Sequence, residues 1–370
     1  MLRPSRIDKL IAKCKSWKDF TRALAPRNAA EKGDAFERLT QLYLLTRPEF
    51  GGTKLRDVWV CKWDLPTKIR TKLKLPKADE GIDLVAQARD GSFWAIQSKY
   101  KSDQDKPPTR KELSTFASLA FINCRGCFSE AWVAHSSSRP VRKGKLAGHT
   151  SEIGLEAWLA LSREDWGLIH KRLKGKAARP TRRKPRPHQT KAIKAATEHF
   201  AKKRQSRGKL IMPCGTGKSL TAYWIAKALK AKTILVAVPS LALIKQGVED
   251  WTREIVATNE KPLAEWLCVC SDESAGNIER DQFVGDVYEL GLDVTTEPEK
   301  IKSFLTKPTT SRRIVFTTYQ SSPLLANVAR KAGVEFDLAI LDEAHKTAGA
   351  KGKTFATLLF DKNLRIRRRI

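Results

Sequence analysis

Met212-Pro-Cys-Gly-Thr-Gly-Lys-Ser219 is the stretch that decides how this chain is read. It follows a short apolar run, Lys209-Leu210-Ile211, and precedes a helix-like segment from Leu220 to Lys230. Strand, glycine-bearing loop and helix in that order make a phosphate cradle. Gly215 and Gly217 permit backbone conformations that a Cβ would block. The exposed N–H groups of Cys214, Gly215, Thr216 and Gly217, with the positive end of the following helix, favour a triphosphate. Lys218 is placed to reach the β- and γ-phosphates, and the Ser219 hydroxyl to ligate Mg²⁺. The strict pattern has Gly at its first position, where this chain has Met212.

A second motif supports the first. Leu338-Ala-Ile-Leu341 is a continuous apolar run, as expected of a strand buried in a parallel sheet. It delivers Asp342-Glu343-Ala344-His345 at its C-terminal end, where open α/β sheets bind their ligands. Asp342 is expected to hold Mg²⁺ and Glu343 to polarise an attacking water, with His345 completing the nucleotide site.

Composition bounds the partners. The 370 residues include 70 basic and 40 acidic ones, a net charge of +30. Such an excess implies a polyanionic partner, and double-stranded DNA is the expectation. The hydrophobic fraction of 41% is ample for folded cores. The seven cysteines are odd in number and irregular in spacing, and Cys124-Arg-Gly-Cys127 has no second pair. Reduced thiols are expected, not a disulfide framework. The N-terminus lacks a signal-peptide core. The most apolar stretch, Thr233 to Ile244, is too short to span a bilayer and contains Pro239. No membrane is implied, and the expected compartment is the cytoplasm.

The basic stretch from Lys171 to Pro187 holds nine basic residues, three prolines and no acid. It reads as an extended linker, or as a segment lying along a phosphate backbone. It separates a module over 1–170 from a second over 188–370. The second module alternates element types: helix Gln189 to Lys203, the loop above, strand Thr233 to Val238, helix Leu241 to Thr252, and strands Trp266 to Cys270, Arg313 to Thr317 and Asp337 to Leu341. That alternation predicts a doubly wound parallel sheet. Ser271 to Thr310 is polar and acidic and receives no assignment.

In the first module, Glu80-Gly-Ile-Asp83-Leu-Val-Ala begins a strand, Asp90-Gly91 signals a hairpin turn, and Ser92-Phe-Trp-Ala-Ile-Gln97-Ser-Lys99 returns. Gln97 and Lys99 have the same parity and share a face, which across the hairpin meets Asp83. The Asp83 carboxylate and the Gln97 amide oxygen suit Mg²⁺, a hard ion. Lys99 is expected to orient water or neutralise charge developing on phosphorus. Glu31 to Glu37 opens a helix through Leu45, and Glu37 offers a further acid.

These motifs resemble known families. GTGKS, the upstream Arg186-Pro-His-Gln189, Ile234-Leu-Val-Ala-Val-Pro-Ser240, Phe316-Thr-Thr-Tyr-Gln320 and Asp-Glu-Ala-His together resemble the first motor domain of superfamily 2 helicases and translocases. Those proteins commonly relax the first loop glycine. The resemblance implies that Gln189 contacts adenine and that Ser240 and Thr318 lie in segments touching a nucleic-acid backbone. The order helix Glu37, Gly-Ile-Asp83, Gln97-x-Lys99 resembles the PD-(D/E)xK nuclease fold, and within it the Mrr-like restriction nucleases, over about residues 30 to 135.

The whole arrangement resembles the N-terminal part of type ISP restriction–modification enzymes. Type I motor subunits share the order; type III subunits, with the nuclease after the motor, fit less well. The resemblance implies an ATP- and Mg²⁺-dependent DNA endonuclease and translocase: a PD-(D/E)xK-like mixed-sheet domain plus a RecA-like motor domain. The alternative is a repair or remodelling helicase whose first module only binds DNA, or a nucleotide-dependent DNA-binding module without catalysis. The family's next Ser/Thr-Ala-Thr motif, a second motor domain with its arginine finger, and a methyltransferase motif do not occur before Ile370. The sequence is therefore expected to be a fragment or truncated product, the missing motor half and target-recognition parts lying in the same or a partner chain.

Overall fold

In the computed structural model the two apolar runs Thr233–Val238 and Leu338–Leu341 lie side by side and parallel, Ile234 opposite Leu338 and Ala237 opposite Leu341. The structure describes residues 4–76, 81–141, 150–270, 291–292, 294–344 and 356–370. The chain divides into two compact units, Met1–Pro180 and Thr181–Ile370.

The first unit contains α1 (Pro4–Ile11), α2 (Trp17–Leu24), α3 (Ala29–Thr46), β1 (Leu55–Val60), α4 (Thr67–Lys72), β2 (Leu84–Ala88), β3 (Phe93–Lys99), α5 (Arg110–Ala117), β4 (Glu130–His135), β5 (Ser151–Ile153), α6 (Leu155–Leu159) and α7 (Arg163–Leu173). The strands form one mixed sheet in chain order. β1–β2 and β2–β3 are antiparallel, and β3–β4 and β4–β5 are parallel. The β2–β3 hairpin turns at Asp90-Gly91, where Gly91 takes φ 91° and the Asp90 carboxylate accepts from the Ser92 amide at 2.9 Å.

Strand parity sorts β3 between two cores. Trp94 and Ile96 join Phe36 and Leu39 of α3, whereas Phe93 and Ala95 join Leu113 and Phe116 of α5. Gln97 and Lys99 therefore emerge on the α5 face. Ser98 emerges on the other face, its hydroxyl 3.3 Å from that of Thr40 on α3.

The second unit contains α8 (Pro187–Thr197), α9 (Lys218–Ala228), β6 (Thr233–Val238), α10 (Leu241–Ala257), β7 (Glu265–Val269), β8 (Val294–Thr295), α11 (Pro298–Thr306), β9 (Arg313–Thr318), α12 (Ser322–Lys331) and β10 (Leu338–Leu341). All pairings in the order β10-β6-β9-β7-β8 are parallel. The sheet is covered by two cores, one built with α9 and α10 and the other with α11 and α12. A parallel sheet buried on both faces is the reason its strands read as unbroken apolar runs.

Two expectations need correction, and one unassigned stretch gains elements. Lys209-Leu210-Ile211 is not a strand. The ladder before the loop is made by the preceding residues, with Gly208 donating to the Arg369 carbonyl and Arg369 to that of Ser206. Beyond Gly208 the chain leaves the ladder, and Ile211 is 91% exposed. The basic stretch is not wholly an extended linker. α7 runs into it as far as Leu173, and Arg183 docks on α10, its amide donating to Glu254 at 3.2 Å and its guanidinium to Asp250 at 2.9 Å. The stretch left unassigned carries β8 and α11, while 271–290 and 293 lie outside the described residues.

Candidate nucleotide and nuclease sites

The loop after Met212 wraps as the glycines allow. Gly215 takes φ 74° and Gly217 φ 81°, left-handed values that favour glycine. α9 then begins at Lys218, so that lysine sits in the first helical turn. The Ser219 carbonyl accepts from the buried Trp251 indole at 3.0 Å, which ties the helix start to α10. Cys214 is exposed on the loop, and the Thr216 hydroxyl donates to the Pro213 carbonyl at 2.7 Å.

Gln189 braces this loop. Its Nε2 donates to the carbonyls of Thr216 at 3.1 Å and Gly217 at 3.4 Å, and its Oε1 accepts from the Arg186 amide at 2.8 Å. His188 Nε2 also lies 3.2 Å from the Thr216 carbonyl. The glutamine read as an adenine contact thus has both ends of its amide engaged by protein. A Cβ added at Gly217 would fall 2.6 Å from Gln189 Nε2, a second reason for glycine there.

Across the sheet ends, Lys218 Nζ lies 2.6 Å from Glu343 Oε1. That hydrogen bond outweighs partial burial and holds the Lys218 pKa above its ordinary value. Asp342 stands at the end of β10, its amide donating to Ala237 and its carbonyl accepting from the buried Tyr319 hydroxyl at 2.7 Å. Burial pushes its carboxyl pKa up, against the pull of Lys218. Glu343 has φ 53°, in the left-handed region. His345 lies outside the described residues. Ser240 and Thr318 are buried; Ser240 caps α10 by accepting from the Leu243 amide, and the Thr318 hydroxyl, at the end of β9, accepts from that of Ser321, both at 3.4 Å.

In the first unit the structure brings Asp83 and Gln97 together. One Asp83 carboxylate oxygen accepts from Gln97 Nε2 at 2.5 Å and from the Ser98 amide at 2.7 Å. Gln97 is 1% exposed, and its Oε1 is buried without a hydrogen-bond partner among the described residues. Such an orphaned oxygen is costly unless something absent from the polypeptide satisfies it. A carboxylate beside a buried, unpartnered amide oxygen is the donor chemistry a hard divalent cation accepts. Lys99 follows on the same face at the end of β3, opposite His135 of β4. His135 itself is buried and paired with Glu152 of β5 at 3.0 Å.

Glu37 is engaged elsewhere. Lys62, in the turn after β1, reaches Asp34 at 2.5 Å and Glu37 at 2.7 Å. Sequence reading missed Lys62, because a lysine in a turn gives no sign that it will be drawn into a helix–sheet crevice. It also missed Tyr319, whose motif was read for nucleic acid while its hydroxyl holds the Asp342 backbone. Among the described residues no group of three or more His, Cys, Asp or Glu could hold a metal ion, and none of the seven cysteines is in a disulfide.

Residues 182–367, half of the chain, match the family described as type III restriction enzyme, res subunit. The chain belongs to that family. Residues 48–143 of this Res-family chain match the Mrr-type catalytic domain described as restriction endonuclease. The nuclease-like module therefore precedes the helicase-like one, and α3 with Glu37 lies outside the nuclease match.

Over 94% of its length the chain shares the fold of the ATP-dependent type ISP restriction–modification enzyme LlaBIII, solved bound to DNA, at 23% identity and a TM-score of 0.73. A nuclease-deletion mutant of the type ISP enzyme LlaGI, solved with a DNA substrate mimic, aligns with 50% of the chain at 27% identity and a TM-score of 0.40. A probable helicase, A859L of African swine fever virus (isolate Tick/Malawi/Lil 20-1/1983), is 30% identical over 146 residues, 40% of this chain. The chain spans 22% of the LlaBIII chain and 14% of the viral helicase. Among the described residues no helix is long and apolar enough to cross a membrane.

Proposed function

We propose that this chain is the nuclease-and-motor part of an ATP-dependent DNA restriction enzyme. It cuts DNA phosphodiesters with Mg²⁺ in its first unit and binds and hydrolyses ATP in its second. The observation that carries the reading is Gln97: its amide nitrogen is on Asp83 while its buried oxygen has no partner among the described residues. Asp83 and Gln97 would hold Mg²⁺, which when bound supplies Lewis acidity and a more acidic water. Lys99, on the same sheet face, neutralises charge that builds on the phosphoryl oxygens and orients the attacking water. Glu37, paired with Lys62, supports the crevice in this reading and does not touch the substrate.

In the motor, the amides from Cys214 to Lys218 cradle the phosphates and Lys218 pairs the β/γ-phosphates. Ser219 and Asp342 would hold a second Mg²⁺, which neutralises phosphate charge. Glu343 orients the attacking water once it leaves Lys218. Thr216 and Gly217 keep their geometry because Gln189 holds their carbonyls.

Plasmid nicking with Mg²⁺ tests the first half of the proposal. Asp83→Ala and Lys99→Ala are each expected to lower the nicking rate at least 100-fold, in line with removal of one transition-state stabiliser. Nicking unaffected by both changes would leave the second reading, a helicase whose first unit only binds DNA.

A further inference from the structure

Tyr100 follows Lys99 directly and turns to the other face of the sheet, edge-on to Phe36 of α3 with ring centres 5.8 Å apart. Beside it opens a cleft of about 470 Å³, lined by Lys18 and Arg22 of α2, Lys32 of α3, and Tyr100, Ser102 and Gln104. Among the described residues no carboxylate lines this cleft. The acids nearest in sequence have other hydrogen-bond or ion-pair partners, although the Asp19 pKa is lowered by the Lys15 amide and also by the Arg22 charge. Asp19 accepts from the Lys15 amide at 3.0 Å, Glu31 is 4.0 Å from Arg27, and Asp103 is 3.0 Å from Lys106. Among the described residues, Lys18, Arg22 and Lys32 form no ion pair.

The cations stand on a fixed support. Lys18 and Arg22 are four residues apart on α2 and share one side of it. The opposite side of α2 is buried through Trp17, Phe20 and Leu24, with Trp17 stacked on Trp158 at 5.9 Å. Three like charges line one concavity, and the burial of α2 fixes where the Lys18 and Arg22 side chains start. Arg and Lys together suit phosphate oxygens, Arg as a fork and Lys as a point charge. Three cations along one cleft can contact successive phosphates of a strand.

We propose that this cleft holds the backbone phosphates of the DNA strand next to the scissile bond, with Tyr100 against a sugar or base. The proposal rests on the reading of Asp83, Gln97 and Lys99 as the cutting site. Tyr100 directly follows Lys99, so the cleft opens at the same end of β3 that carries the proposed cutting residues. The two faces of the β3 end divide the work, the α5 face carrying the cutting residues and the α2–α3 face the neighbouring phosphates.

The test is binding of a short fluorescent duplex by the whole chain, measured by anisotropy across a salt series in EDTA so that nothing is cut. Three proteins are compared: wild type, Lys18→Ser with Arg22→Ser, and Lys18→Arg with Arg22→Lys. Each phosphate contact contributes about 0.9 to the slope of log K against log salt. The serine variant is expected to lose about 1.8 from that slope. The charge-preserving variant is expected to keep the wild-type slope. A serine variant with the wild-type slope overturns the site, and so does a charge-preserving variant that loses as much as the serine one. Nicking assayed separately with Asp83→Ala distinguishes the two readings. Nicking that survives Asp83→Ala removes the cutting site and leaves the binding result standing. An unchanged slope beside Asp83-dependent nicking removes the cleft alone.

Discussion

Lys218 Nζ and Glu343 Oε1 lie 2.6 Å apart, so the cation proposed for phosphate and the acid proposed for water occupy each other. The pair is about 30% exposed on either side, and solvent screening keeps its intrinsic contribution to roughly 0–1 kcal/mol. Its effect on ligand binding is more direct, because a triphosphate must displace Glu343 to reach Lys218. Glu343→Gln is therefore expected to tighten binding of a fluorescent ATP analogue several-fold. Hydrolysis should fall by about 10²–10⁴, the usual contribution of a positioned base. Lys218→Ala should weaken binding instead. Unchanged or weaker binding by Glu343→Gln would show that the contact does not compete with nucleotide.

Gln189 yields a second discrimination. Its amide spans Arg186 and the Thr216 and Gly217 carbonyls, so its removal loosens the phosphate loop whatever the base above it. Losing these hydrogen bonds costs about 1–2 kcal/mol, close to tenfold in affinity. Gln189→Ala should weaken inorganic tripolyphosphate and ATP by similar factors, measured by competition against the fluorescent analogue. Loss for ATP alone would assign the side chain to adenine recognition.

The parallel-sheet unit was legible because its motifs are runs of contiguous residues. Gly215, Gly217 and Lys218 need only local backbone geometry, and the buried strands of a parallel sheet announce themselves as apolar runs. The meeting of Asp83 with Gln97 was also legible, since a tight turn at Asp90-Gly91 fixes the register of the hairpin. What sequence did not reveal depends on contacts across long separations. Lys62 sits 25 residues from Glu37 in the chain, and nothing in Cys61-Lys-Trp-Asp64 announces an ion pair. Arg183 was read with its basic neighbours as part of a linker, yet the buried Glu254, distant in sequence, draws it onto α10. Lys209-Leu210-Ile211 reads as the strand before the loop because apolarity alone does not reveal pairing, and the segment around Arg369 pairs with Arg207 instead.

Lys62 carries the third prediction. Its ammonium sits between Asp34, 4% exposed, and Glu37, 9% exposed. Burial lowers the lysine pKa, but the two carboxylates more than offset this and hold it above its ordinary value. Lys62→Ala removes the cation and leaves two buried acids facing each other. Loss of one partner from a buried ion pair costs about 3–5 kcal/mol. Urea unfolding of the first unit, followed by the tryptophans packed around α3, should show a loss of about 3 kcal/mol. Lys62→Arg should recover much of it. A loss under about 1 kcal/mol would mean that the acids find sufficient compensation elsewhere.

Glu254 gives a pH dependence of definite sign. It is fully buried on α10; Oε1 accepts from the Arg183 amide, and Oε2 has no hydrogen-bond partner among the described residues. Burial raises its pKa above the ordinary 4.5, despite Arg183, Arg182 and Arg253 nearby. A raised folded pKa means that the folded state holds this proton more tightly than the unfolded chain. The stability from Glu254 is then full below pH 4.5 and is lost as pH rises through the folded value. Each unit of elevation corresponds to about 1.4 kcal/mol. Glu254→Gln keeps an acceptor oxygen for the Arg183 amide and cannot ionise. Its stability relative to wild type should therefore improve from pH 4 toward neutrality and then level off, read from urea midpoints of the second unit. A difference that stays flat with pH would show that the arginines cancel the effect of burial, and one that favours wild type increasingly as pH rises would show that Glu254 is stabilised as a carboxylate.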